Sequence, residues 1–312
     1  MMQSSNRKAK EASRIRAEVR REKLRLLIFR SKRVTRALLK NPMGLAGTII
    51  LIFFSVIAAF GPYLAPYEVD ATRSGLFEPY LPSSSEHWMG TDVFGYDIFS
   101  MLLYGARTSI LVGMFAAVIA SVVGAAVGLY SGYAGGWKDE VLMRINDVML
   151  SIPWLVLMIL VAGLIGTISL TVIILIIGLT GWSATARLVR AQVLSLRERQ
   201  YIERARAIGS GDLHIIKTHI LPNSFPLVFA NTILTVAISI LSEATLSFLH
   251  MRPYGTVTWG TMLSYAYDNS AFQLGLHYWI VMPGLCIVFL VLGFTLLGFA
   301  LDEILNPRLR KR

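Results

Sequence analysis

Six long apolar runs limit this chain to one kind of fold. They lie near residues 44–64, 108–130, 140–166, 168–185, 225–249 and 278–300. About 20 helical residues cross a hydrocarbon core of roughly 30 Å, and each run is close to that length. No water is present there to satisfy a bare peptide group, so a run of this kind must close its own hydrogen bonds as helix. The expected fold class is an all-α integral membrane protein with six transmembrane helices. Composition agrees: 54% of residues are hydrophobic and the mean hydropathy is +0.58, against about 45–50% apolar in an average soluble chain.

Charge divides the sequence in two. The net charge is +11, and residues 1–42 alone carry 14 Lys/Arg against 3 Asp/Glu. The rest of the chain is balanced. Residues 1–42 read as a basic amphipathic helix, with Ile15, Val19, Leu26 and Leu27 as apolar positions, and residues 43–312 as the transmembrane domain. A basic stretch beside a span fits anionic lipid better than nucleic acid, at about 1 kcal/mol per basic residue near the surface. It is also far too long to be the leading part of a cleaved signal peptide. Residues 65–106 are acidic, with Glu68, Asp70, Glu78, Glu86, Asp92 and Asp97 against Arg73, and Pro66, Pro79 and Pro82 disfavour continuous helix there, so this segment reads as an external loop and residues 250–276 as a second. Of the 30 Lys/Arg, only Arg73, Arg107 and Arg252 lie in or beside the segments read as external, so both termini are expected in the cytoplasm.

One polar stretch sits among these runs, GWSATARLVRAQVLSLRERQYIERARAIGSGDLHIIKTHILPN from Gly181 to Asn223. Tyr201 to Ile208 reads as helix, with Tyr201, Ala205 and Ile208 on one face and Arg204 on another. Gly209-Ser-Gly211 breaks it, Asp212 is placed to cap a second short helix, and that helix is expected to stop at Leu221 before Pro222. The result is a polar elbow, residues 197–222, held between two spans.

Several single residues stand out. Gly124, Gly128, Gly132 and Gly136 recur every four positions, a smooth stripe on which another helix can pack closely. Pro153 is expected to kink the third span. Arg144 and Asp147 are three apart on one helical face, which favours an ion pair near the end of the span. Glu243 lies inside the fifth span, where a carboxylate costs roughly 2.5–3.5 kcal/mol on insertion scales, so it is expected to face protein or water. Ser242 and Thr245 are its nearest candidate partners in sequence, and lining the pathway and bonding helices together remain equal readings for it. Cys286, the sole cysteine, reads as a packing residue, and no disulfide is possible within the chain.

At the elbow the chain resembles a known family. Glu203-Arg-Ala205, Gly209 and Ile220-Leu-Pro222 resemble the EAA loop of ABC importer permeases, and ARLVRAQVLSLRE followed by HILPN is similar to the oligopeptide, dipeptide and nickel branch. HWMGTDVFGYDIFSMLLYGARTS, MRINDVMLSIPWLVL, LSEATLSFL, TVTWGTMLSYA and NPRLR resemble further segments of that branch, in the same order. Tyr96 stands where the family usually has arginine, Arg204 where it has alanine and Phe299 where it has aspartate.

The resemblance implies the type I permease fold in the plasma membrane, a second homologous permease, ATPase subunits and an extracytoplasmic solute-binding protein. It implies that the elbow docks in a groove of the ATPase, with Glu203, Arg204, Ala205, Gly209 and Asp212 as the coupling residues and a small Ala205 in the groove; Arg204, which departs from the family pattern, is expected to point away from the groove, toward lipid phosphate. ATP and Mg would be held by the partner, with no cofactor in this chain, and ATP-driven closure would turn the pathway outward. Peptides are the default substrate, with nickel chelates and oligosaccharides open.

Other chemistry finds no residues to carry it. There is no GxxxxGK[ST] loop, no HExxH and no GxSxG, so neither nucleotide hydrolysis, a zinc protease nor a serine hydrolase is indicated, and no catalytic residue is assigned. His214 and His219 are five apart, a poor spacing for one metal. The rival from another class is an ATP-independent channel or scaffold, against which the elbow argues.

Overall fold

The computed structural model describes residues 33–72 and 75–305. Of the basic segment read over 1–42, residues 33–40 are helical and residues 1–32 lie outside the described residues, as does the terminal NPRLRKR stretch. Regular secondary structure among the described residues is helical, apart from one isolated antiparallel bridge between Thr91 and Asp97.

Helix α1, Pro42–Leu64, opens on an Asn41 cap whose side chain accepts from the Met43 and Gly44 amides, with Pro42 where its missing N–H costs nothing. Helix α2, Ile98–Ala134, is capped by Asp97, which accepts from the Ser100 amide. This corrects the reading of 65–106 as one loop. Residues 98–106 form the first turns of α2, and Ile98, Met101 and Ala106 are buried in protein. Only the stretch up to Asp97 is irregular.

The third span is not one kinked helix. Helix α3, Gly136–Ser151, and helix α4, Trp154–Ile165, meet at a bend of 89°. Ile152 takes extended backbone angles, as the steric demand of a proline on its predecessor requires. Helix α5, Leu170–Thr180, turns at Gly181-Trp182 into α6, Ser183–Arg197, and the two act as one 28-residue span. The fourth span therefore extends twelve residues past the expected limit of Thr185, because α6 keeps an apolar face of Ala186, Val189 and Val193 that packs on the glycines of α2.

Helix α7, Gln200–Ala207, and helix α8, Asp212–Ile215, make the elbow. A π-helical turn, Ile216–Ile220, follows, and α9, Leu221–Phe248, continues without a break. The expected stop before Pro222 is thus absent. The wider π turn frees the ladder just where proline has no N–H to give. Helix α10, Trp259–Asp268, lies inside the segment read as the second external loop, and α11, His277–Leu305, completes the chain.

Among the described residues five helices are long and apolar enough to cross a membrane, and six spans result if the bent α3/α4 pair counts as one. The helix termini define two ends of the bundle. The elbow, Asn41 and Glu303 lie at one, where Asn41 Nδ2 donates to Glu303 Oε2 at 2.9 Å. Segments 65–97 and 249–276 lie at the other, the loop end, where the Tyr254 amide donates to the Ile168 carbonyl at 3.1 Å.

Small residues set the closest contact. A Cβ on Gly124 would stand 2.6 Å from the Trp182 carbonyl, on Gly128 2.5 Å from that of Ala186, and on Gly132 3.0 Å from that of Arg190. Lipid tails give no hydrophobic drive between helices, so this backbone approach and its dispersion contacts hold α2 to α6. Gly136 does not extend the stripe, since it opens α3 with a φ of +57° and nothing faces it.

Candidate functional site

The elbow is built on an apolar base. Val189, Val193 and Leu196 of α6, Ile202 and Ala205 of α7, Ile215 and Ile220 pack round Tyr133 at the end of α2. The buried face of α7 is thus Ile202 and Ala205, while Tyr201 is 41% and Ile208 83% exposed. This corrects the expected face and the expected place of Ala205. Its small side chain lets α7 sit against the chain's own bundle and does not project into a partner's groove.

Gly209 ends α7 in a Schellman motif. The Ser210 amide donates to the Ala205 carbonyl at 3.0 Å and the Gly209 amide to the Arg206 carbonyl at 2.9 Å. Its φ is +81°, yet nothing stands within 4 Å of where a Cβ would go. Conformation, not space, demands glycine here. Asp212 is not the cap of α8, a position held by Gly211. Its Oδ1 instead accepts from Tyr133 Oη at 2.7 Å, and the Arg206 guanidinium lies 5.3 Å from the centre of the Tyr133 ring. Both halves of the elbow are thereby tied to the end of α2. Glu203, Arg204, Ile208 and Leu213 remain exposed on the outer side. His214 and His219 have ring centres 6.2 Å apart, and among the described residues no three His, Cys, Asp or Glu side chains assemble.

Two ion pairs fasten α3 to α6. Asp139 takes both nitrogens of the Arg190 fork at 2.6 Å each, and Asp147 takes Arg187 Nη2 at 2.7 Å. The expected partner Arg144 is exposed, so the intrahelical pair is replaced by one across helices. Three residues of separation permit an intrahelical contact, but Arg187 on the packed neighbour reaches Asp147 directly. The Asp147 pair is more than half exposed and contributes at most about 1 kcal/mol. The bidentate, largely buried Asp139 pair is the stronger.

At the loop end Glu243 is buried. Its Oε1 accepts from Ser247 Oγ at 2.9 Å and Thr258 Oγ1 at 2.7 Å. Ser242 and Thr245 instead bond their own helix, to the carbonyls of Ile238 and Leu241. The two bonds give Oε1 partners inside the protein, as a buried polar atom requires. Thr258 also caps α10 by accepting from the Thr261 amide, while the Trp259 amide donates to Ser109 Oγ and its ring N–H to the Leu102 carbonyl. Glu243 therefore joins α9, α10 and α2 through protein contacts. Sequence reasoning missed Thr258 and Tyr133. The pattern Thr258-Trp-Gly-Thr261 was the available sign of the first, and nothing local marks the second.

The segment before α2 is also ordered round carboxylates. Asp97 accepts from the Ser100 amide and hydroxyl at 2.8 Å each, and its Oδ1 meets His87 Nδ1 at 3.1 Å. Asp92 Oδ1 accepts from the Phe94 and Tyr96 amides. Burial pushes the Asp92 carboxyl up to about 6 in spite of these bonds. Tyr96, in place of the arginine usual in the family, donates its hydroxyl to the Asp70 carbonyl.

Comparison with known proteins gives consistent matches. Residues 124–311 match the family described as binding-protein-dependent transport system inner membrane component, and residues 30–82 match the N-terminal TM domain of oligopeptide transport permease C. The chain is 38% identical over 280 residues to the dipeptide transport system permease protein DppC of Bacillus subtilis, covering 88% of this chain and 85% of the relative. It is 34% identical to the oligopeptide transport system permease protein OppC of the same organism, covering 87% of each. It is 33% identical to the glutathione transport system permease protein GsiD of Pectobacterium atrosepticum, over 88% and 90%. Among solved structures, the inward-facing MetNI methionine ABC transporter is similar with a TM-score of 0.51 and 21% identity, over 66% of this chain and 95% of that one, a likeness of fold.

Proposed function

Because the chain belongs to the binding-protein-dependent transport system inner membrane components, and is a permease subunit of an ABC importer, we propose that it carries peptides inward and couples to a separate ATPase through its elbow. The peptide assignment rests on the dipeptide and oligopeptide permeases among its relatives. The coupling assignment rests on one observation: the elbow has a buried base fixed to α2 and an exposed tip of Glu203, Arg204, Ile208 and Leu213. A lever needs that combination, since a loose loop would absorb displacement before it reached the spans.

In this reading Gly209 sets the turn of the tip, and Asp212 and Ala205 hold the elbow to the bundle. Asp147 and Glu243 serve helix interfaces, and Arg144 is left at the surface. ATP and Mg are held by the ATPase subunits, a homologous permease supplies the other half of the pathway, and an extracytoplasmic binding protein delivers the solute. The elbow end faces the cytoplasm of a cell whose plasma membrane the chain crosses.

The test is reconstitution of both permeases with the ATPases in vesicles. ATP inside, binding protein outside and labelled di- and oligopeptides should give accumulation against a gradient. Equal uptake without ATP would reject an importer driven by the elbow. Uptake of nickel chelates or oligosaccharides but not peptides would reject the substrate.

A further inference from the structure

A cavity of about 290 Å³ opens between the two loop-end segments. Ala71, Phe94 and Tyr96 line it from the first, and Pro253, Tyr254 and Tyr265 from the second and from α10. Its walls are fixed from behind. Asp92 holds the Phe94 and Tyr96 amides, and the Gly75 amide donates to the Phe94 carbonyl. On the other side Arg252 bonds Asp268 at 2.9 Å and lies 4.4 Å from the centre of the Tyr265 ring. A cavity held open in this way loses little freedom when it is filled.

The size narrows the occupant. Pockets for whole small molecules span about 300–1,000 Å³, so this one sits at the lower edge and suits a single large side chain better than a peptide. Its wall is aromatic, and Tyr254 stands at the rim 85% exposed. The first segment around it presents the exposed carboxylates Glu68, Glu78 and Glu86, while the Arg252 charge is engaged with Asp268.

We propose that this cavity seats one aromatic or aliphatic side chain of the extracytoplasmic solute-binding protein, on a partner surface that is basic around that side chain. The proposal rests on the importer reading and on the loop end facing outward. Apolar anchors in pre-formed pockets carry much of the energy of an interface. Complementary charge around them speeds encounter and makes it salt-dependent.

The experiment places the assembled permease–ATPase complex in nanodiscs and titrates the solute-binding protein of the same transport system. Ala71→Trp fills the cavity, and Tyr254→Ala removes the rim without touching the core. Wild-type complex should bind with an affinity that falls as salt rises. Ala71→Trp should weaken binding at least tenfold and Tyr254→Ala severalfold, with basal ATPase activity unchanged. Wild-type affinity in both variants would overturn the proposal. So would wild-type affinity together with a raised KM for transported peptide, which would make the cavity a seat for the solute. A wild-type complex that binds no solute-binding protein would overturn the importer partnership itself, and the cavity's role with it.

Discussion

At the scale of single residues, two positions separate conformation from packing and charge from structure. Gly209 adopts a φ of +81° with open space beside it, whereas Gly211 has a φ of −67°. A β-branched side chain at Gly209 is a backbone outlier, at a cost of about 1–2 kcal/mol, and it must re-aim the tip. Gly209→Val should therefore lower binding-protein-stimulated ATP hydrolysis at least tenfold in the assembled complex, and Gly211→Ala should leave it near wild type. Equal activity in both variants would remove Gly209 from the coupling machinery.

Asp92 makes the opposite case: its Oδ1 is held by two amides, while its Oδ2 is buried without a partner. The fold raises its carboxyl from 3.8 to about 6, so the folded state binds the proton more tightly than the unfolded chain. The sign follows: stability from this group is greatest at low pH and falls as pH rises from about 4 to about 6, by on the order of 3 kcal/mol, and is flat above. Asp92→Asn keeps an oxygen for the Phe94 and Tyr96 amides. Thermal unfolding of the purified protein between pH 4 and pH 8 should lose that slope in the variant. An unchanged slope would assign it to other groups.

At the scale of elements, legibility followed the range of the interaction. The apolar runs and the glycine spacing could be read because a period of four is a property of one helix. The partner of the stripe could not, because α6 meets α2 only after some fifty residues of intervening chain have folded back. The same limit applies to Asp147. Arg144 is its neighbour along the helix, but Arg187 is its neighbour in the bundle. Pro153 was visible as a disturbance, yet its 89° consequence depends on what α4 packs against, namely Ile173 and Ile177 of α5. The α2–α6 contact gives the sharpest test. A methyl group at Gly128 would meet the backbone of Ala186 and Arg190, neither of which can rotate away. Gly128→Ala should cost about 1–3 kcal/mol through overpacking, seen as a lower melting temperature in detergent and weaker retention of the ATPase. A variant that melts with the wild type would mean that the helices part without penalty.

At the scale of the whole molecule, the number of crossings can be fixed by parity. The bent pair α3/α4 is the ambiguous element, since an 89° break is also compatible with a segment that enters and leaves on one side. If it did so, the chain would cross five times and its first and last spans would end on opposite sides. The hydrogen bond from Asn41 to Glu303 places those ends together. The bond from the Tyr254 amide to the Ile168 carbonyl places the exit of α4 beside the loop that follows α9. Both require an even number, so the pair counts as one crossing and the spans among the described residues number six. The proposed orientation rests on charge. Arg33, Arg36, Lys40, Lys138, Arg197, Arg199, Arg204, Arg206 and Lys217 gather at the elbow end, while the carboxylates of segment 65–97 gather at the other. Basic residues are retained in the cytoplasm, which supports the proposal that the elbow end faces inward. With Cys286 replaced by alanine, Ser85→Cys should react with a membrane-impermeant maleimide on intact cells, and Lys217→Cys only after permeabilisation. The reverse order would turn the protein over and place the elbow out of reach of any cytoplasmic ATPase. Reaction of both from outside would break the parity on which the six crossings stand.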